Sequence, residues 1–263
     1  RNIVTDSSAL SSNGSGTTSV YGRVVDIILD ESHPQYSYKG GSIALNGVFY
    51  KPINSNASEK VPSALPFAFQ GGVHFKTVPL VGEVVKIESL PTPSDRDFTG
   101  KTRSTYTAIL NIFNSTNSNC YPDTVNNIDI DITQGGKFKE LGDINPIASS
   151  PGDVEINGRQ GQSIRFTGGK SPSNPWIASD NVGLPLTLIS NGQKETDNGF
   201  VSIGEDVNED ASSIVLASNH LIPLTQASTK RLAWDEEPTL AKEFKGNQII
   251  INGGRLYFNA KEH

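Results

Sequence analysis

Short runs in which apolar and polar residues alternate carry most of the pattern in this chain. The clearest runs are Tyr21-Gly22-Arg23-Val24-Val25-Asp26-Ile27-Ile28-Leu29 and Val84-Val85-Lys86-Ile87. Period-2 alternation bounded by Gly and Pro predicts half-buried strands. The first barrel strand is therefore placed at Val20 to Leu29. Pro79 and Gly82 bracket the start of the central strand, which runs on toward Leu90. Ser104 to Phe113 alternates again and is expected to close a small β-structure. Between Ser42 and Tyr50, Asn46-Gly47 sits among apolar residues, the usual signature of a tight hairpin.

Further along, Asp153 to Gly158 and Ser163 to Thr167 read as short strands around a Gly-rich turn, and Ser212 to Ser218 as another strand. Ile249 to Phe258 repeats the strand, Ile-Asn-Gly turn, strand shape, with an aromatic on one face. Ile128, Ile130 and Ile132 face away from Asp129 and Asp131, which predicts an edge strand or one-sided sheet over Asn126 to Gly136. Thr239 to Phe244 is the one short helix expected. The organisation that follows is a flexible Ser/Gly/Thr/Asn-rich arm at 1–19 and a barrel at 20–125. A linker at 126–151 then leads to an elongated β-rich domain at 152–263.

Composition supports an all-β chain. The 263 residues are 35 % apolar and 19 % charged, with 25 Gly and 15 Pro, which leaves room for two cores of ordinary size. The net charge of −6, with no Lys/Arg cluster, argues against a nucleic-acid partner. The single cysteine, Cys120, excludes an internal disulfide and a cysteine zinc site, and reads as an idle thiol. No run reaches the ~18 apolar residues of a membrane helix, and no basic-then-apolar start marks a secretory signal. The sequence thus predicts a soluble protein made in a cytoplasm. No methionine occurs, position 1 included, so the initiator is expected to be removed or to precede this numbering.

Candidate chemistry is sparse. Glycoside hydrolysis needs two carboxyls ~5–10 Å apart, one with a raised pKa. Glu205, Asp206, Glu209 and Asp210 cluster, and Asp235-Glu236-Glu237 follow Trp234, but both runs read as solvated loops. Asp206, Asn208 and Asp210 match the first ligands of a calcium loop. Ala211 and Ala217 then occupy the positions that need Gly and Glu, so a turn capped by Asx side chains is the better reading. His33, His74, His220 and His263 are scattered without metal-ligand spacing, and Gly100-Lys101-Thr102 lacks the earlier glycine of a phosphate loop. Phe49, Tyr50, Phe67, Phe69 and Phe75 lack the flanking cations of a single-strand binder and are expected in the core. No catalytic residue, cofactor or metal is expected.

The "GxVxDI" strand at Gly22–Ile27 and the later "P-x-VGE-x-V" phrase at Pro79–Val85 resemble the OB-fold domain of phage baseplate-hub and spike proteins and of VgrG-type spikes. Gly158-Arg159-Gln160-Gly161-Gln162-Ser163-Ile164-Arg165, then Ser190-Asn191-Gly192-Gln193, then Glu205-Asp206-Val207-Asn208-Glu209-Asp210-Ala211-Ser212-Ser213-Ile214 resemble three phrases that follow it in spikes of contractile-tailed phages. The resemblance implies an OB-type barrel, followed by an elongated β-rich region leading into a β-helix or β-prism shaft. It implies a structural, non-enzymatic part of the virion, the central spike or hub of a tail baseplate, without the lysozyme insert of some relatives. A homotrimer is implied, docked on other baseplate and tail-hub proteins, with a tip protein at its C-terminal end and transient contact with the host envelope. Pro79 and Gly82 would fix the start of the central barrel strand, while Ile249, Ile251, Leu256 and Phe258 would line the shaft. The alternatives are a receptor- or carbohydrate-binding tail protein using Trp176 and Trp234, and a glycan hydrolase using Glu205.

Overall fold

In the computed structural model, the residues described are 19–53, 65–72, 74–91, 102–112, 119, 141, 143–168, 183–196, 201–226 and 239–261. The strict alternation at 126–136, Cys120, Trp176, Trp234, Asp235 to Glu237 and His263 lie outside them. The chain is all-β, and it divides into two compact units, Arg1–Asn114 with Tyr121–Phe138 and Ser115–Cys120 with Lys139–His263.

The first unit is a closed five-stranded barrel: β1 (Ser19–Ile27), β2 (Val48–Pro52), β3 (Phe67–Gln70), β4 (Val84–Pro91) and β5 (Thr102–Leu110). Its order is β1-β2-β3-β5-β4, with β4 returning to β1. All pairs are antiparallel except β3–β5, which is parallel. Val24, Ile27, Val48, Tyr50, Ala68, Val85, Ile87 and Tyr106 fill the interior. Alternation selects these residues, and closure of the sheet removes exposed strand edges. Gly22 is required by that packing. A Cβ there would strike the Tyr50 ring and come within 2.8 Å of Ile87 Cδ1.

Two of the named residues define the start of β4. Pro79 and Leu80 are buried, and Gly82 turns with φ 91, a conformation that favours glycine. Gly82 N donates to Val24 O at 2.8 Å, and Val24 N donates to Glu83 O at 2.8 Å. Leu80 N donates to a Glu83 carboxylate oxygen at 2.6 Å. The phrase Val81-Gly82-Glu83 therefore locks the turn onto β1, one residue before β4 begins.

The Asn46-Gly47 pair does not make a hairpin. Gly41–Ala44 forms a 3-10 turn that buries Ala44, and only Val48 onward is strand. Asn46 takes φ 63, its N–H donates to Ile28 O at 2.7 Å, and Ile28 N donates to Gly47 O at 3.0 Å. The pair thus returns the chain into register with β1 rather than folding it on its own preceding residues. Phe49 and Tyr50 are buried and Phe67 and Phe69 pack on the core, as expected, but Phe75 is exposed.

The second unit is an antiparallel meander in the order β10-β9-β8-β7-β6. Its strands are β6 (Val154–Asn157), β7 (Ser163–Thr167), β8 (Leu186–Asn191), β9 (Ser212–Ser218) and β10 (Asn247–Gly253). Leu186, Leu188, Val215, Ala217 and Ile250 point to one face and are covered by Val207 and Ile222. Residues 143–150, read from the sequence as linker, are built into this unit. Asn145 is buried, and Ile147 bridges Ile203. Thr239 to Phe244 is a single turn rather than a helix, held by Glu243 N and Phe244 N donating to Leu240 O. The expected repeat is half present: β6 and β7 form the hairpin, whereas 254–261 after β10 adds no strand.

Candidate functional site

Register turns the second unit's open face into two apolar rows. One row runs Ile156, Ile164, Ile189, Ile214, Ile251 across all five strands. The other runs Val154, Phe166, Thr187, Leu216, Ile249 in the same strand order. Only Thr187 interrupts them, and no charged residue lies in either. Side chains at alternate strand positions share a face, so these rows are fixed by the same register that buries Leu188, Val215 and Ile250 beneath. Val154, Ile156, Phe166, Ile189, Ile214, Leu216, Ile249 and Ile251 are all exposed. Ile249, at the β10 edge, is 75 % exposed. A continuous apolar patch of this kind marks a surface meant to be covered.

Ile249 and Ile251 lie in these rows, and the turn of the strand leaves Ile250 alone in the core. Leu256 and Phe258 are exposed beyond β10, together with Tyr257. Pro79 and Gly82 belong to the barrel and take no part in this face.

Beneath the face, the three phrases of the second unit meet as structural locks. Arg165 is 1 % exposed and Glu205 6 %. Arg165 Nε donates to Glu205 Oε1 at 2.9 Å, its NH2 donates to Glu205 Oε2, and NH1 reaches Asp153 Oδ2 at 3.3 Å. Burial pushes the Glu205 carboxyl above its ordinary range, and the Arg165 charge opposes that rise. Gln193 clamps the backbone of Asn145, accepting from its N–H at 2.8 Å and donating to its carbonyl at 2.9 Å.

Asp210 accepts from Ser190 Oγ at 2.6 Å, from Asp206 N at 3.0 Å and from Lys194 N at 3.2 Å. Burial raises its pKa against those hydrogen bonds. Asn208 N donates to Asp206 Oδ1 at 2.9 Å, which makes the acidic run an Asx-type turn.

The acidic run is thus not the solvated loop that its composition suggests. Glu205 and Asp210 are buried, and each carboxylate is engaged by its neighbours. The signal for Glu205 was Arg165, an arginine alternating into the core side of β7, but forty residues separate the two. Among the described residues, no cluster of His, Cys, Asp and Glu could hold a metal ion. His33 Nε2 lies 3.0 Å from Asp26 Oδ2 in the barrel, and His220 Nε2 lies 3.1 Å from Leu184 O in the second unit. Comparisons with protein-family models, curated proteins and solved structures each found no match.

Proposed function

We propose that this chain is a structural component of a contractile-tail baseplate, the central spike or hub, acting as a homotrimer. The observation that carries the reading is the uncharged pair of apolar rows, which the described residues of one chain leave open. Three sheets turned inward about a common axis would bury those rows as the interior of a β-prism shaft, with closed cyclic symmetry. The barrel supports the same reading: the order β1-β2-β3-β5-β4 with a parallel β3–β5 pair is the OB-type arrangement that the resemblance implies. Its role is docking on the hub ring, while the shaft carries load toward the host envelope when the sheath contracts. The function is mechanical. Hydrogen-bonded ladders and buried locks such as Arg165–Glu205 resist deformation, and no bond is made or broken.

Glu205 suits this role better than catalysis, because both its oxygens accept from Arg165 in a buried site. Gold-labelled antibody against the chain, applied to contractile tails purified from the source culture, is expected to mark the baseplate on the tail axis. Label confined to peripheral fibres, or tails left unlabelled, contradicts the assignment.

A further inference from the structure

The open face ends at two sheet edges that no described strand occupies, the outer edges of β6 and β10. Immediately after β10, the stretch 254–261 leaves the sheet as exposed chain without regular secondary structure. Within it Leu256 and Phe258 alternate with Arg255 and Tyr257, and Phe258 is 83 % exposed. An exposed segment of apolar and aromatic residues outside any sheet, beside an edge that no described strand occupies, suits strand addition. We propose that residues 255–259 of one copy add as a sixth strand to the β6 edge of a neighbouring copy, with Tyr257 opposite Glu155 and Arg255 reaching the Glu155 carboxylate from the diagonal position on the same side. This rests on the trimer reading and names the contact that ties one subunit to the next.

Charge and side-chain direction select the edge. On β6, Val154 and Ile156 point to the open apolar face, while Glu155 points to the opposite one, beside Arg165 in register. A strand laid there with Leu256 and Phe258 continuing the apolar rows must turn Arg255 and Tyr257 to the Glu155 side. The Glu155 carboxylate already accepts from Ser149 and Asn157 and can take a further donor. The β10 edge offers only Gln248, Ile250 and Asn252 on its corresponding side, none of them acidic.

Reach selects the neighbour. Four strand spacings of ~4.8 Å separate β10 from β6 in one sheet, ~19 Å in all. From Gly253 to Arg255 the chain extends only ~7 Å. A copy cannot lay this segment on its own β6, and Gly253-Gly254 supplies a pivot toward another molecule.

The test uses the full chain, with the thermal dissociation of the oligomer followed by light scattering. Arg255→Glu and Glu155→Arg should each weaken association ~2–5-fold per contact, lowering the dissociation temperature. The double variant should restore it, and a chain ended after Gly254 should dissociate at the lowest temperature of the set. A trimer whose dissociation temperature is unmoved by the single changes, or not rescued by the double, overturns the strand exchange alone. A wild-type protein that is monomeric at every concentration overturns the trimer, and the exchange with it.

Discussion

Replacing Ile251 with Asp is expected to abolish the trimer while leaving both units folded. Ile251 sits in the Ile156–Ile164–Ile189–Ile214 row, on the face opposite to the core. In a single chain it is exposed, and exposed substitutions of this kind usually change stability by no more than ~0.5 kcal/mol. In the assembly the same position is apolar interior. Losing a buried isoleucine forfeits ~1.5–3 kcal/mol, and burying an uncompensated carboxylate costs several more. Each trimer carries that change three times, so association should fall beyond detection at micromolar protein. Circular dichroism should keep the wild-type signal, while the urea midpoint of the second unit should fall by the stabilisation that assembly contributes. A trimer surviving in the Asp variant places Ile251 outside any interface.

Replacing Arg165 with Met should lower the stability of the second unit by ~3–5 kcal/mol, because it strips the cation from two buried carboxylates. Asp153 and Glu205 are both almost fully buried beside it. The loss should depend on pH in a definite sense. Burial already raises Glu205, and without Arg165 it rises further, so the folded state then holds a proton that the unfolded chain gives up near pH ~4.3. The deficit is therefore smallest below that pH and grows as pH rises through the raised value. Urea unfolding at pH 4 and pH 7 measures it directly. A deficit under ~1 kcal/mol at pH 7 would mean that water compensates the pair, and that it is no lock. A companion Glu205→Leu change in the Met background should recover part of the loss, since paired charges can often be exchanged for apolar packing.

Much of the barrel was legible because its strands are local. Val24 and Ile27, Val85 and Ile87, and Tyr106 alternate within their own runs, and Gly82 and Pro79 mark where β4 must begin. Asn46-Gly47 misled, since that dipeptide specifies a turn but not which strand it returns to. Here the answer came from Ile28, across β1. Strand β8 was missed although Leu186 and Leu188 alternate with Thr187 and Ile189. Apolar residues on both faces blur period-2 patterning, the expected mark of a sheet covered on two sides. Ser212–Ser218 and Asn247–Gly253 carry the same mark in Ile214-Val215-Leu216 and Ile249-Ile250-Ile251. The rows themselves could not be read from sequence, because they exist only once five registers are fixed. Glu205 was unreadable for a related reason: its local company is acidic and polar, and its partner lies on a distant strand.

The central claim is that the open face of the meander is shared between copies, and the mass of the purified full chain in solution tests it most directly. Multi-angle light scattering across a concentration series should give three times the chain's 28.2 kDa, held until mild heating dissociates it. A single-chain mass that persists at the highest concentration would contradict the account and leave the apolar rows to a different protein of the assembly.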